Sequence, residues 1–176
     1  MNSILSVWLN SLKHYLQLSV FLSTPAKLPF SPASLVLTLV AYITVGEFLL
    51  GAERGLFSII IQIGIEVLIL FGITFIALKI AKKPERLLQT LSALIGVSLI
   101  ISLAGLLIMS ALPDNGSADE LNLMILQVNL VLLLWNLAAI SLIFKRAFEI
   151  RTFTAGFIAF NFYLSYEYLM LNFFLT

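Results

Sequence analysis

Apolar positions along this chain come in long blocks, not in the strict alternation of a half-buried strand or the narrow stripe of a soluble helix. Five blocks are long enough to cross the hydrocarbon core of a bilayer, which takes about 20 residues in helical form. They run approximately from Pro32 to Leu50, Leu56 to Leu78, Leu87 to Leu112, Leu121 to Phe144 and Thr152 to Phe174. Lipid offers no water to unpaired backbone groups, so each block predicts a helix, and all are too continuous for barrel strands. The expected fold is all-α: an integral membrane bundle of five transmembrane helices over residues 31–176, preceded by an amphipathic segment and linker over residues 1–30.

That first segment follows a different pattern. Ile4, Leu5, Trp8, Leu12, Tyr15 and Leu16 share one side at helical spacing, with Ser3, Ser6, Asn10, Lys13 and Gln17 on the other. The pattern predicts a helix that lies in the membrane interface with Trp8 and Tyr15 at headgroup depth, or else packs on the rest of the bundle. No basic residue precedes it and no small-x-small cleavage pattern follows, so it reads as part of the mature chain. The stretch TPAKLPFSP is too rich in proline to continue the helix, and Ser31 offers an N-cap with Pro32 at the first helical position.

Composition sharpens the class. At 61% hydrophobic and 11% charged, the chain carries less than half the charge of an ordinary soluble domain. A net charge of +1 gives no reason to expect nucleic acid as a partner; the lipid bilayer is the partner expected. The absence of cysteine excludes thiol catalysis and thiolate metal sites, and the one histidine, His14, is too few for a histidine cluster. No cofactor or metal is expected. The connections between blocks are about ten residues or fewer, too short for a folded catalytic unit.

Placement of the charges predicts orientation. The connection after the second block carries Lys79, Lys82, Lys83 and Arg86, and that after the fourth carries Lys145, Arg146 and Arg151. The connection after the first block has Arg54 beside Glu53, and that after the third has Asp114, Asp119 and Glu120 with no base. Basic loops face the cytoplasm, so the amino terminus is expected inside and the carboxyl terminus outside, as in a bacterial inner membrane. Nine of the ten bases, all but Arg54, then fall on one side. Asn115, Gly116 and Ser117 match a glycosylation sequon and are equally ordinary turn chemistry.

Polar residues within the blocks are the candidate chemistry. Glu66 falls near the bilayer midplane, where a charge costs on the order of 3 kcal/mol, so a proton or neutral donors must meet it. Gln62 precedes it by one turn; Asn122, Asn129 and Asn136 form a ladder at seven-residue spacing; and Asn161, Tyr163 and Glu167 follow in the last block. The intramembrane network expected is Gln62, Glu66, Asn129, Asn136, Asn161, Tyr163 and Glu167, serving either interhelical hydrogen bonding or a proton or ion path. Glu47, near the end of its block, is expected to be solvated. The pairs Ser92 and Gly96, Ser98 and Ser102, and Ala155 and Ala159 have the small-xxx-small spacing that lets helices approach closely.

Five close-set spans with the amino terminus inside, together with PERLLQTLSALIGVSLI at the opening of the third span, resemble the Yip1 family of small membrane proteins and its bacterial inner-membrane relatives. AKLPFSP stands where eukaryotic members carry a short acidic-aromatic sequence, so no functional residue is carried over. The resemblance implies a non-enzymatic scaffold or assembly factor. The leading expectation is accordingly a scaffold or accessory subunit that acts through helix contacts with a membrane-protein partner or as a homo-oligomer. The alternative is a small transporter or proton-conducting module built on Glu66.

Overall fold

A computed structural model describes residues 4–50, 55–112 and 118–174. Six α-helices account for nearly all of these: α1 (Ile4–Ser19), α2 (Pro32–Leu50), α3 (Leu56–Ile80), α4 (Leu87–Ser110), α5 (Ala118–Phe148) and α6 (Thr152–Phe174). Short 3-10 turns at Pro25–Lys27 and Pro84–Arg86 lead into α2 and α4, each opened by a proline whose missing N–H costs nothing there. The predicted blocks coincide with helices almost residue for residue, and Ser31 Oγ accepts from the Ser34 amide as an N-cap. The structure extends α3 to Ile80 and α5 to Phe148, which puts Lys79, Lys145 and Arg146 in last turns, where they complement the helix dipole. Arg54, Glu53, Asp114 and the Asn115 sequon lie outside the described residues.

Four of the helices are long and apolar enough to cross a membrane, over Pro32–Leu49, Phe57–Ile80, Pro84–Ser110 and Asp119–Phe148. Their outward surfaces expose large side chains such as Phe57, Leu68, Ile76 and Leu134, a load that water does not tolerate over so wide an area. The chain is an integral membrane protein. The last helix, α6, is comparable in length, but its asparagines, tyrosines and Glu167 leave it without an apolar stretch like those of the other four.

At the centre stands α4, packed against α1, α2, α3 and α5, with α6 folded back on α5. Most of the core is concentrated at one end of the bundle, where α3 and α5 finish and α2, α4 and α6 begin: Tyr15, Leu28, Leu78, Ala93, Leu94, Val97, Ile140, Phe144, Phe148 and Ala155 form one cluster there. Three helices finish at this end with a non-glycine residue in the left-handed region, Phe21, Lys82 and Glu149. Each is followed by a six-to-one bond: Leu22 to Gln17, Lys83 to Leu78 and Ile150 to Lys145.

Instead of lying on the surface, α1 enters the bundle. Its Ser11, Tyr15, Leu18 and Ser19 are buried, and Tyr15 is wholly enclosed, where headgroup depth was the alternative. The rest of its circumference divides into an exposed apolar stripe, Leu5, Leu9, Leu16 and Val20, and a polar stripe with Asn10 and Lys13. Three faces for three surroundings explain why a two-sided reading of α1 is ambiguous.

Candidate functional site

One turn apart on α3, Gln62 and Glu66 reach two different helices. Tyr42 of α2 places its hydroxyl 2.9 Å from Oε2 and 3.2 Å from Oε1 of Glu66, so one O–H serves both carboxyl oxygens. Antiparallel neighbours match by depth: Tyr42 lies about 12 Å from the far end of α2 and Glu66 about 15 Å from the start of α3, at 1.5 Å per residue. The side chain of Gln62 turns the other way and donates from Nε2 to the Tyr166 hydroxyl of α6 at 2.8 Å. Across from them, Asn136 of α5 and Tyr163 of α6 are hydrogen-bonded side chain to side chain. The Oδ1 atom of Asn136 is buried without a partner.

These groups surround a cavity of about 770 Å³ in the half of the bundle remote from the basic loops. Its polar lining is Tyr42, Glu66, Ser102, Asn129, Asn136, Tyr163, Tyr166 and Glu167, and its apolar wall includes Ile101 and Met109 of α4 and Ile125, Leu132 and Leu133 of α5. Glu66 is 8% exposed at its edge, whereas Glu167 is open to the surroundings. Of the network expected from sequence, Glu66, Asn129, Asn136, Tyr163 and Glu167 meet around this space, and Gln62 hydrogen-bonds to one of its walls. Asn161 does not join: it is exposed and donates from Nδ2 to Phe157 O in its own helix at 2.8 Å. The residues that sequence reasoning missed are Tyr42 and Tyr166. Tyr42 could have been found by matching polar positions at equal depth across the α2–α3 hairpin. Among the described residues, no group of three or more His, Cys, Asp or Glu could hold a metal ion.

The opposite end is sealed. The Tyr15 hydroxyl lies 2.6 Å from Ser92 Oγ and 3.3 Å from Thr38 Oγ1; Trp8 Nε1 donates to the same Thr38 hydroxyl at 3.2 Å; and Ser34 donates to Ser11 at 3.0 Å. The Tyr15 ring lies directly on Gly96, where an added Cβ would stand 2.4 Å from ring carbons. The pair Ser92 and Gly96 therefore does admit a close approach, but of an aromatic ring. Below it, Trp135 Nε1 donates to Ser19 O at 2.7 Å, and Arg146 donates to the carbonyls of Ser23 and Phe21.

The two basic loops meet at this end. Glu149 accepts from Lys83 and, at 3.0 Å, from Arg86 Nη1, tying the α3–α4 connection to the α5–α6 connection. Those two partners, Lys83 first, hold its carboxyl below the usual range. Lys79, Lys82 and Arg151 stay exposed, and Lys145 is half-buried. A small pocket of about 300 Å³ lies beside these groups, between Thr24, Gln89 and Arg146, but its arginines are already engaged. No family model, curated protein or solved structure matches the chain.

Proposed function

We propose that this is a small transport-type protein whose working part is the acidic cavity, with Glu66 as the group that takes up a proton or cation inside the bilayer. One observation carries the reading: a nearly buried carboxyl, supplied with a single donor among the described residues, borders about 770 Å³ of space. A carboxylate whose only task was to fasten helices would be expected in a closed, fully paired setting, because an unfilled acceptor in lipid is costly. The reading takes α6 as a fifth crossing, supported by its exposed apolar stripe of Phe153, Phe157, Phe160, Leu164 and Leu171. It also takes the bonded basic loops as the cytoplasmic face of a bacterial inner membrane, which puts the cavity in the outer half and the carboxyl terminus outside. It is a non-enzymatic reading.

The test uses proteoliposomes holding a pH-reporting dye. After an external acid pulse, the wild-type chain is expected to acidify the interior faster than Glu66→Gln does. Equal rates in the two, indistinguishable from empty liposomes, overturn the reading.

A second reading, an accessory subunit, has its own support. The first half of α5 is unpacked and exposes Asn122 and Gln127, for which a helix of a partner or of a second copy would supply hydrogen bonds. The resemblance to Yip1-like proteins points the same way. Cross-linking from a cysteine placed at Asn122 in native membranes tests it, and an adduct-free monomer sinks it.

A further inference from the structure

We infer that the cavity takes an organic cation, with an ammonium head against Glu66 and an apolar body along α4 and the tyrosines. The inference rests on the cavity being a ligand site and names the class of ligand.

Charge comes first. Among the described residues of the lining, the groups that can carry a formal charge at neutral pH are both acidic, Glu66 and Glu167, with no lysine, arginine or histidine beside them. Among the described residues the carboxyl of Glu66 receives one donor, Tyr42, although a carboxylate offers about four acceptor positions. Across the space, Asn136 holds a second acceptor, Oδ1, that is buried without a partner. An ammonium brings up to three N–H groups and a compensating charge to acceptors that the protein leaves unfilled. A neutral ligand would leave the carboxylate unpaired, and an anion would be repelled.

Shape and wall chemistry choose among cations. A volume of about 770 Å³ falls within the range of small-molecule pockets, roughly 300–1,000 Å³, and far exceeds a bare ion. A small inorganic ion would leave most of this volume and its aliphatic wall without a role, and among the described residues no group of three or more His, Cys, Asp or Glu is placed to hold a metal ion. The walls are Ile101, Leu132 and Leu133 with the rings of Tyr42, Tyr163 and Tyr166. Aromatic faces attract a cation most strongly where water is scarce, and the aliphatic wall suits a hydrocarbon body.

The probes are 2-phenylethylammonium, its neutral counterpart 2-phenylethanol and the anion 3-phenylpropionate. Each is titrated calorimetrically into the full chain in nanodiscs of zwitterionic lipid, with empty nanodiscs subtracted. The ammonium is expected to bind about tenfold more tightly than the alcohol or better, and the anion not at all. Glu66→Gln should bring the ammonium down to the alcohol's affinity while leaving the alcohol unchanged. Glu167→Gln, at an exposed position where folding is not at stake, should give a smaller loss in the same direction. Equal affinity for ammonium and alcohol, or an ammonium preference that survives both substitutions, overturns the inference. If no probe binds while dye acidification still depends on Glu66, the organic cation falls and the transport reading stands. If the ammonium preference holds and Glu66-dependent acidification is missing, the ligand class stands and transport falls.

Discussion

From Thr90 to Leu99 every residue of α4 is buried, yet from Ser102 to Ser110 the same helix buries only Gly105. A similar division runs through α5, which buries Ala139, Ile140, Ile143, Phe144, Ala147 and Phe148 near its end and none of the residues 119–138. At the basic end, small residues such as Ala93, Ala139, Ala155 and Ala159 are fully buried, and α1 fills what remains, its Tyr15 ring seated on Gly96. In the other half α1 is absent, and carboxyls, amides and phenols border open space. One set of helices is thus a closed core at one end and a container at the other. The difference lies in side-chain size and in the presence or absence of α1.

The sharpest break of this comparison is chemical access. The chain has no cysteine, so single replacements report cleanly. A water-soluble maleimide should label Ser102→Cys, at the cavity, and leave Ser92→Cys, under Tyr15, unlabelled until the protein is denatured. Labelling of both would show that the closed end is not closed.

Stability should follow the same division, read from unfolding in detergent micelles. Tyr15→Ala removes a fully buried aromatic and should cost about 4 kcal/mol. Gly96→Ala drives a methyl into that ring and should cost about 2 kcal/mol. Tyr15→Phe keeps the packing and loses only the bonds to Ser92 and Thr38, for about 1 kcal/mol. A cost for Tyr15→Phe as large as for Tyr15→Ala would move the weight from packing to the hydroxyl cluster.

The smallest effect belongs to the exposed junction of the basic loops. The carboxyl of Glu149 is held below its ordinary value of 4.5, so its contribution is present above that pH and is lost as pH falls through the lower folded-state value. Glu149→Gln should flatten this acid limb at low salt and leave stability at neutral pH nearly unchanged, since such pairs are screened.

Much of the bundle was legible because hydrocarbon enforces helices: apolar block length gave α2 and α6 to the residue and α3 and α4 to within two, while the charged ends of α5 lay beyond its apolar block; the Ser31–Pro32 start of α2 was read directly. Charge assigned the two basic loops to one side, but that Lys83 and Arg86 meet there at Glu149 was not read from it. The position of α1 was not legible, since periodicity reports which residues share a face and not what covers that face. Tyr42 escaped for a related reason. It bonds to Glu66 across a tertiary contact, 24 residues away in the chain, and only a comparison of depths between neighbouring helices exposes such a partner. Asn161 was included on polarity alone, and its own helix backbone satisfies it.

The turn formed by Glu149, Ile150 and Arg151 has a consequence for biogenesis. With three residues between the end of α5 and the start of α6, the last helix emerges from the ribosome already tethered to a more apolar one. Its asparagines, tyrosines and Glu167 make solitary partitioning from the translocon unfavourable, whereas packing as the second arm of a hairpin gives Phe162 and Tyr163 cover from α5. Lengthening that turn should therefore loosen the carboxyl-terminal segment from α5 before it disturbs anything else.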